Sequence, residues 1–378
     1  MLTETLTYTT QWQHTTIEKI PQEKVNIVFI FGEREIIKKS IVYEEIKALY
    51  PKADIIGCSS SGNILDDELS SASLVATAVS FEQGSVQVSI KDFDEGDDLL
   101  KVSNEVVNGL SKEGLKHIFI LSEGLNMNGS SLAQGANYAV ESKIAVTGGL
   151  AGDGTNFQET WVIANEKAKQ NRVVAVGFYG DSLSIESACY GGWNEFGMLR
   201  KITKSKDNIV YKIDGKPALA LYKKYLGEYA KDLADGSALD FPMNIRANVD
   251  DTPITRSVLS VDEERQSLIF AGDVPEGSFA KLMRTSVDDL IDGSETAAKQ
   301  IRKINDKTAL GLVVSCVGRR LVLKQLTDEE LEIIKDTLGE NINLVGFYSY
   351  GELAPFSNEL LSCKLHNQTM TLTAIYED

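Results

Sequence analysis

The strongest constraint on the fold of this chain is a unit that recurs three times. Each copy has a buried strand, a loop, a helix, a second buried strand, and a loop in which a glycine precedes Asn, Asp or Glu. The copies lie near residues 29–63, 118–153 and 310–355. Continuous apolar runs such as VNIVFIFG, HIFILSEG and LGLVVSC are typical of strands that are buried on both faces of a sheet.

The two later copies also share what precedes them. The run VQVSIKDF and a helix led by Asp98 come before the second copy. The run SFAKLMRT and a helix predicted at about residues 287–304 come before the third. We therefore predict an α/β fold with two duplicated mixed-sheet halves, built from strand–helix–strand–loop repeats, related by a pseudo-twofold axis and separated by a cleft.

Turn signals place the domain boundary in the middle of the chain. Asp214-Gly215 marks a turn, and an amphipathic helix is predicted from about Pro217. The prediction is a lead-in at 1–24, a first domain at 25–216 and a second domain at 217–378.

Charge and hydropathy exclude several function classes. The formal net charge of −17 disfavours nucleic acid and anionic membrane surfaces as partners. The N-terminus has no signal-peptide pattern, and no run approaches the roughly 18 apolar residues of a membrane helix. The four cysteines are scattered without a CxxC pair, which indicates free thiols in a reducing compartment. We expect a cytoplasmic protein.

The loops at the strand ends of the third copy predict half of a small-molecule cleft. A guanidinium of Arg319 or Arg320 can fork onto a ligand carboxylate, and Arg319 is the favoured candidate. Glu352, after Gly351, can receive an ammonium group, so that the pair would clamp an amino acid. The structural alternatives are an ion pair of the arginine to Glu329 or Glu352, and a Glu352 that caps backbone amides.

The corresponding loops of the other copies supply further candidates, because loops at strand ends carry binding residues without disturbing the core. GGLAGDG is not followed by an amphipathic helix, so it does not predict a dinucleotide site. Trp193 beside two glycines offers an apolar surface, or simple core packing. The predicted ligand-binding set is Arg319, Glu352, Gly351, Ser349, Tyr350, Asp153, Gly152, Ser59, Ser60, Asn63 and Trp193.

An enzymatic alternative rests on Cys58 and Cys316, which both lie at strand ends. Two facing thiols would suit a cofactor-independent racemase or isomerase, each exchanging a Cα proton with the substrate. The two cysteines occupy different places in the repeat, and a buried inert cysteine is the commoner case. We therefore expect no catalytic residues and no enzyme.

Several ordered motifs resemble one family. SCVGRR, GFYSYGELAP and LHNQTMTL look like the C-terminal FIST domain, whereas IIGCSSSG, GGLAGDG, GWNEFG and YKIDGKPALALYKKYLG look like the N-terminal FIST domain. The resemblance implies a sensory signal-transduction module that binds small ligands such as amino acids. The two predicted domains would then be FIST N-like and FIST C-like.

The resemblance also implies partners and a cofactor. Some members are haem proteins that sense nitric oxide and act on histidine kinases or cyclic-di-GMP enzymes. The chain leaves no room for an output domain, so we expect a stand-alone module that signals through a separate partner. The histidines, His14, His117 and His366, have no metal-site spacing, and no metal is predicted. A non-covalent haem needs one axial residue, for which His366 is the candidate.

Overall fold

The computed structural model describes residues 1–16, 19–235, 237–301, 307–356 and 360–378. The helix predicted at 287–304 ends at Lys299, and its predicted residues 302–304 lie outside the described part. The described helices are α1 (Arg34–Ile37), α2 (Ser40–Leu49), α3 (Leu99–Asn108), α4 (Gly129–Val140), α5 (Ala218–Leu226), α6 (Val287–Lys299), α7 (Val317–Leu323) and α8 (Glu329–Leu338), together with short 3-10 turns at Gln22–Lys24, Gly227–Asp235, Ser237–Asp240 and Lys324–Leu326.

The strands, in chain order, are β1 (Leu2–Tyr8), β2 (Trp12–His14), β3 (Ile27–Gly32), β4 (Asp54–Ser59), β5 (Asn63–Leu65), β6 (Glu68–Ser70), β7 (Leu74–Ser80), β8 (Ser85–Asp92), β9 (Leu115–Ser122), β10 (Ala145–Leu150), β11 (Val162–Ala164), β12 (Arg172–Tyr179), β13 (Leu183–Tyr190), β14 (Asn194–Lys206), β15 (Ile209–Ile213), β16 (Lys216–Pro217), β17 (Met243–Arg246), β18 (Ile254–Arg256), β19 (Val258–Asp262), β20 (Ser267–Phe270), β21 (Phe279–Arg284), β22 (Ala309–Cys316), β23 (Ile342–Ser349), β24 (Gly351–Pro355), β25 (Cys363–His366) and β26 (Met370–Glu377).

Each of the three sequence repeats forms the centre of its own six-stranded sheet. Sheet 1 has the order β11-β4-β3-β7-β1-β2, sheet 2 the order β25-β24-β10-β9-β12-β8, and sheet 3 the order β6-β5-β23-β22-β26-β13. The central pairs β3–β4, β9–β10 and β22–β23 are parallel and are joined by helices, whereas their neighbours pair antiparallel. The predicted α/β class with mixed sheets and repeated strand–helix–strand units is confirmed.

The three sheets exchange strands in a cycle. After its second parallel strand, each repeat leaves its own sheet and pairs with the next one: β5 joins β23, β11 joins β4, and β24 joins β10. Three backbone hydrogen bonds close the cycle where the chain crosses over. They run from the amide of Ser61 to the carbonyl of Tyr348 (2.8 Å), from Gly152 to Ser59 (3.0 Å), and from Tyr350 to Leu150 (3.1 Å).

A glycine in the second strand of each repeat permits this close packing. A Cβ atom at Gly57, Gly148 or Gly346 would lie 2.1, 1.9 or 1.8 Å from a carbonyl oxygen of the first strand, too close for any side chain. These glycines face the residues with which they are in register on β3, β9 and β22. They therefore define equivalent positions in the three copies.

The main core lies between the inner faces of the three sheets. Side chains that alternate along β3 show why both faces are apolar: Phe29 and Phe31 enter the central core, whereas Val28 and Ile30 pack outward under α1 and α2. Phe29 makes an edge contact with Phe119 of sheet 2, at a centroid distance of 5.9 Å. Helices α3 and α4 cover the outer face of sheet 2, and α6 and α8 cover that of sheet 3.

A fourth sheet forms a separate layer between the second and third repeats. Its order is β18-β17-β21-β14-β15-β20-β19, with β16 paired to β15, and it packs on α5 around its own core. The N-terminal strand β1 pairs with β7 and β2 in sheet 1. In the part of the chain that the structure describes, no helix combines the length and apolar character required to cross a membrane.

Candidate functional site

Arg319 is a buried structural residue in α7. Its guanidinium bonds the carboxylate of Glu330 through Nε (3.1 Å) and Nη2 (2.7 Å), and its side chain is fully buried. It also donates to the carbonyls of Gly191 and Leu290, the latter at 2.9 Å. The predicted clamp between Arg319 and Glu352 is therefore not formed. Arg319 forms its ion pair with Glu330 and not with the adjacent Glu329, which is one of the predicted structural alternatives.

Glu352 lies on β24 and is also fully buried. Its carboxylate accepts hydrogen bonds from the hydroxyl of Ser349 (2.7 Å) and from the amide (3.2 Å) and hydroxyl (2.9 Å) of Thr369. Burial raises its pKa to about 8, although these hydrogen bonds act in the opposite direction. No cation is paired with this carboxylate among the described residues. Glu352 is therefore a structural acid, as in the predicted alternative in which it caps backbone amides, although only one of its three donors is a backbone amide.

The glycine positions revise which residues are equivalent. With Gly57, Gly148 and Gly346 aligned, Asn63 matches Glu352, but Asp153 falls one position earlier. The sequence pattern predicts that Asp153 occupies the same position of the repeat as Asn63 and Glu352. The strand register shows that this prediction is wrong. The equivalence of Asn63 and Glu352 extends to their hydrogen bonds. The hydroxyl of Ser60 donates to the side chain of Asn63, and the hydroxyl of Ser349 donates to that of Glu352.

Asp153 joins three parts of the chain. Its carboxylate accepts hydrogen bonds from the hydroxyl of Tyr350, from Nη1 of Arg34 (2.6 Å), and from three successive backbone amides, those of residues 157–159 (2.8 to 3.1 Å). Burial acts to raise the pKa of this carboxyl, but the hydrogen bonds from Tyr350 and the amides outweigh it and lower the pKa. Asp153 is thus a fixed anion at neutral pH.

A cleft of about 590 Å³, which we call the polar cleft, lies beside Asp153. It collects several residues that the sequence predicted, and it draws on all three repeats. Its lining comprises residues 33–35, 60–63 and 69–72 with Asp153, Gly154, Asn156 and Arg320. The predicted Ser60, Asn63 and Asp153 are thus brought together, and Gly152 packs tightly against Ser61 below them.

Arg320, rather than Arg319, faces the polar cleft. Its guanidinium donates to the carbonyl of Ser61 and lies over the ring of Tyr348 at 5.9 Å, and it has no carboxylate partner among the described residues. Arg34 enters from the first repeat, and Glu33 is an exposed acid at the rim. Sequence reasoning missed Arg34 and ranked Arg320 second. The sequence does contain a signal for these two arginines, because each lies within four residues of the end of the first strand of its repeat.

A second cleft, of about 260 Å³, lies between the two predicted domains. Tyr350 and Cys316 line it, together with residues 124–129 at the start of α4 and residues of the fourth sheet, and none of the described lining side chains is ionised. The ring of Tyr350 stacks on Phe157 at 4.5 Å, and its hydroxyl reaches Asp153. Tyr350 therefore connects the second cleft to the polar cleft.

Other predicted residues have structural partners outside both clefts. The hydroxyl of Ser59 accepts from the amide of Trp161 (3.0 Å), and the indole of Trp193 donates to the carbonyl of Gln368 (3.1 Å). A Cβ atom at Gly351 would lie 2.6 Å from the side chain of Leu150, so this glycine leaves room for that side chain where β24 pairs with β10 in sheet 2.

The placement of the cysteines does not favour the isomerase alternative. Cys58 belongs to the central core, whereas Cys316 precedes α7 at the second cleft. Burial raises the pKa of both thiols, so neither forms the thiolate that proton abstraction requires.

The surroundings of His366 do not fit an axial haem ligand. The ring is buried, its Nε2 donates to the carbonyl of Ala354 (3.1 Å), and it packs edge-on against Phe356. Burial lowers its pKa to about 4, so it is neutral. His366 lines neither cleft. Within the described ranges, no group of three or more His, Cys, Asp or Glu side chains could hold a metal ion.

Comparison with known proteins gives matches over nearly the whole chain. A model described as the FIST N domain matches residues 26–216, and one described as the FIST C domain matches residues 218–355. A protein of Methanocaldococcus jannaschii described as uncharacterized protein MJ1623 is 26% identical over 264 residues, covering 63% of this chain and 49% of the relative. The chain thus spans about half the length of that relative.

A solved structure, a cyanuric acid hydrolase from A. caulinodans, covers 95% of this chain and 91% of its own. Its TM-score is 0.38 and its sequence identity 6%, too low to bear on activity.

Proposed function

This chain belongs to the FIST family, whose domains are sensory signal-transduction domains, and from that premise we propose that its polar cleft binds an amino acid or another small zwitterion or anion. The observation that carries the proposal is the meeting of opposite charges from separate repeats in one cleft of about 590 Å³. Arg320 and Arg34 supply guanidinium groups, and Glu33 and Asp153 supply carboxylates.

Arg320 is the proposed carboxylate-binding residue. Among the described residues its positive charge is met only by the carbonyl of Ser61 and the ring of Tyr348, both weaker partners than a carboxylate. A ligand carboxylate would complete the guanidinium fork. Arg34 is already paired with Asp153 and Glu35, so it would contribute less.

Glu33 is the proposed partner for a ligand ammonium group. It is exposed at the rim of the polar cleft and has no ion pair among the described residues. Asp153 adds a fixed negative charge but has its oxygens occupied by five donors. The two ends of an amino acid would thus contact residues of both FIST domains.

The ligand would act on the contact between the domains. Arg34 and Tyr350 bind the same carboxylate, that of Asp153, so a ligand that draws Arg34 away changes the environment of Tyr350. A ligand shifts an equilibrium between two conformations by its difference in affinity for them. We propose that a cytoplasmic module of this kind presents the changed surface to a partner protein, a histidine kinase or a cyclic-di-GMP enzyme, without catalysing a reaction itself.

A thermal-shift screen tests the proposal. The purified chain is heated with each amino acid and with a set of small organic acids at millimolar concentration. A ligand present at 100 times its Kd stabilises the protein by about 2.7 kcal/mol, which raises the Tm by a few degrees. At least one compound is expected to give such a shift. A panel without any shift would contradict the proposal.

A further inference from the structure

A third cavity, of about 370 Å³, adjoins the second cleft but shares no lining residue with it. It is bounded on one side by α4 of the FIST N domain, and on the other by β17 and β18 of the FIST C domain and by β25, which follows that domain. It shares no lining residue with the polar cleft. Its charged lining consists of Arg246, Arg256, Lys364 and Asp273.

Arg256 is the unusual residue of this cavity. Its side chain is buried, with 5% exposed, yet it forms no ion pair with a carboxylate in the described part of the chain. Nη1 donates to the carbonyls of Leu365 (2.7 Å) and Thr255 (3.3 Å), and Nε donates to that of Asp273 (3.3 Å). No described residue accepts a hydrogen bond from Nη2.

The other buried arginines of the described chain each form an ion pair with a carboxylate. Arg319 is paired with Glu330, and Arg172 with Asp92 and Glu166. A buried charge without a counter-ion costs several kcal/mol, so proteins pair it or place it against a ligand. Burial lowers the pKa of Arg256 to about 10, although the nearby charge of Asp273 acts in the opposite direction, so its guanidinium is charged at neutral pH. Asp273 attracts this charge without an ion-pair contact to it, which leaves the guanidinium able to take an anion.

The neighbouring charges add to the positive potential. Lys364 has no ion pair among the described residues, whereas Arg246 is paired with Glu195. Asp273 is the one acid in the lining, and its carboxylate accepts from the side chain of Asn128. The described residues thus supply three cations and one anion to this cavity, in a chain of formal net charge −17. In such a protein a cationic cavity attracts anions locally against the overall field.

We infer that this cavity binds an oxyanion, namely a phosphate or carboxylate group of a small molecule. The planar guanidinium of Arg256 matches such a group bidentately, and the ammonium of Lys364 adds a flexible second contact. Because the walls come from both FIST domains, the bound oxyanion joins them at a second place. The inference stands on Arg256 and its cavity, and is independent of the ligand proposed for the polar cleft.

Calorimetric titration with inorganic phosphate and with citrate, in a Tris-chloride buffer, tests the inference. One of these probes is expected to bind with one-to-one stoichiometry and a Kd in the millimolar range or tighter. Binding of phosphate alone identifies a phosphate-bearing ligand, and binding of citrate alone a carboxylate-bearing one. Absence of saturable heat from both probes up to about 10 mM, a concentration at which a millimolar site is filled, would overturn the inference.

Variants locate the site. Arg256→Lys keeps the charge but loses the bidentate fork, and Lys364→Gln removes a partly exposed charge without touching the core. Each is expected to weaken binding about tenfold, the effect of one charge-assisted hydrogen bond. Lys167→Gln, at an exposed position outside the cavity lining, is the matched control and should retain the wild-type Kd. Wild-type affinity in both Arg256→Lys and Lys364→Gln would refute this assignment, and the Lys364 variant decides it if the Arg256 variant does not fold.

Discussion

The hydroxyl of Tyr350, in the FIST C domain, donates a hydrogen bond to the carboxylate of Asp153, in the FIST N domain. Asp153 lines the polar cleft, and the ring of Tyr350 lines the second cleft. This one bond therefore links the proposed ligand site to the boundary between the two domains. It is also the point at which all three repeats meet, because Arg34 of the first repeat binds the same carboxylate.

Tyr350→Phe is expected to destabilise the protein by about 1 to 3 kcal/mol, because the buried carboxylate of Asp153 loses a donor. The measurement is the free energy of unfolding in urea at pH 7. Tyr190→Phe is the matched control: this tyrosine is 45% exposed, so its change should stay within about 0.5 kcal/mol. Equal effects of the two variants would contradict the role given to Tyr350.

Substitution of the two adjacent arginines should destabilise the protein to very different extents. Arg319→Gln leaves the carboxylate of Glu330 buried without its ion-pair partner, so we expect a loss of about 3 to 5 kcal/mol in the free energy of unfolding. Arg320→Gln removes a half-buried guanidinium that has no carboxylate partner among the described residues, and should cost less than about 1 kcal/mol. Urea unfolding of both variants checks the contrast. A stable Arg319→Gln protein would show that the buried pair is misassigned.

The buried carboxyl of Glu352 predicts a pH dependence of stability. Its pKa is about 8 in the folded chain against an ordinary value of 4.5, so between these pH values the unfolded chain releases a proton that the folded chain keeps. The contribution of Glu352 to stability is therefore most favourable below the ordinary value and falls as the pH rises, by an amount on the order of 5 kcal/mol, until it levels above the folded pKa.

Glu352→Gln removes this titration while it retains a polar side chain of the same size. The free energy of unfolding, measured at intervals from pH 5 to pH 9, should decline less steeply in the variant than in the wild type. Parallel pH profiles for the two proteins would mean that Glu352 is ionised in the folded state.

The close approach of the strands predicts a severe effect at one glycine. In Gly346→Ala, the new Cβ atom would lie 1.8 Å from the carbonyl oxygen of Val313, so the parallel pair β22–β23 must separate. We expect a loss above about 3 kcal/mol or failure to fold. Gly191→Ala, whose nearest contact would be 3.4 Å, is the control and should fold normally. Circular dichroism and urea unfolding distinguish the two, and a well-folded Gly346→Ala protein would disprove the register.

The parallel strand pairs and their helices were predictable because burial on both faces leaves long apolar runs in the sequence. The exchange of β5, β11 and β24 between sheets was not, since short strands carry little pattern and their partners are distant along the chain. The site was only partly predictable. Ser60, Asn63 and Asp153 do share a cleft, but nothing local distinguishes Arg319 from Arg320.

The reason lies in helix geometry. Adjacent residues on α7 point about 100° apart, so one arginine enters the core and the other faces the cleft. Which one is buried depends on Glu330 of α8, a tertiary contact. The same holds for the second repeat. Strand register, which is a tertiary feature, shows that Gly148 and not Thr147 is equivalent to Gly57.

The central claim is that a small zwitterion or anion binds at Arg320 in the polar cleft, and calorimetric titration tests it most directly. The best amino or organic acid from the thermal screen is titrated into the wild type, Arg320→Gln and the exposed control Arg284→Gln. We predict one-to-one binding to the wild type and the control, and a Kd at least about tenfold weaker for Arg320→Gln, as expected for a lost charge-assisted fork. An unchanged Kd in a folded Arg320→Gln protein would contradict the account.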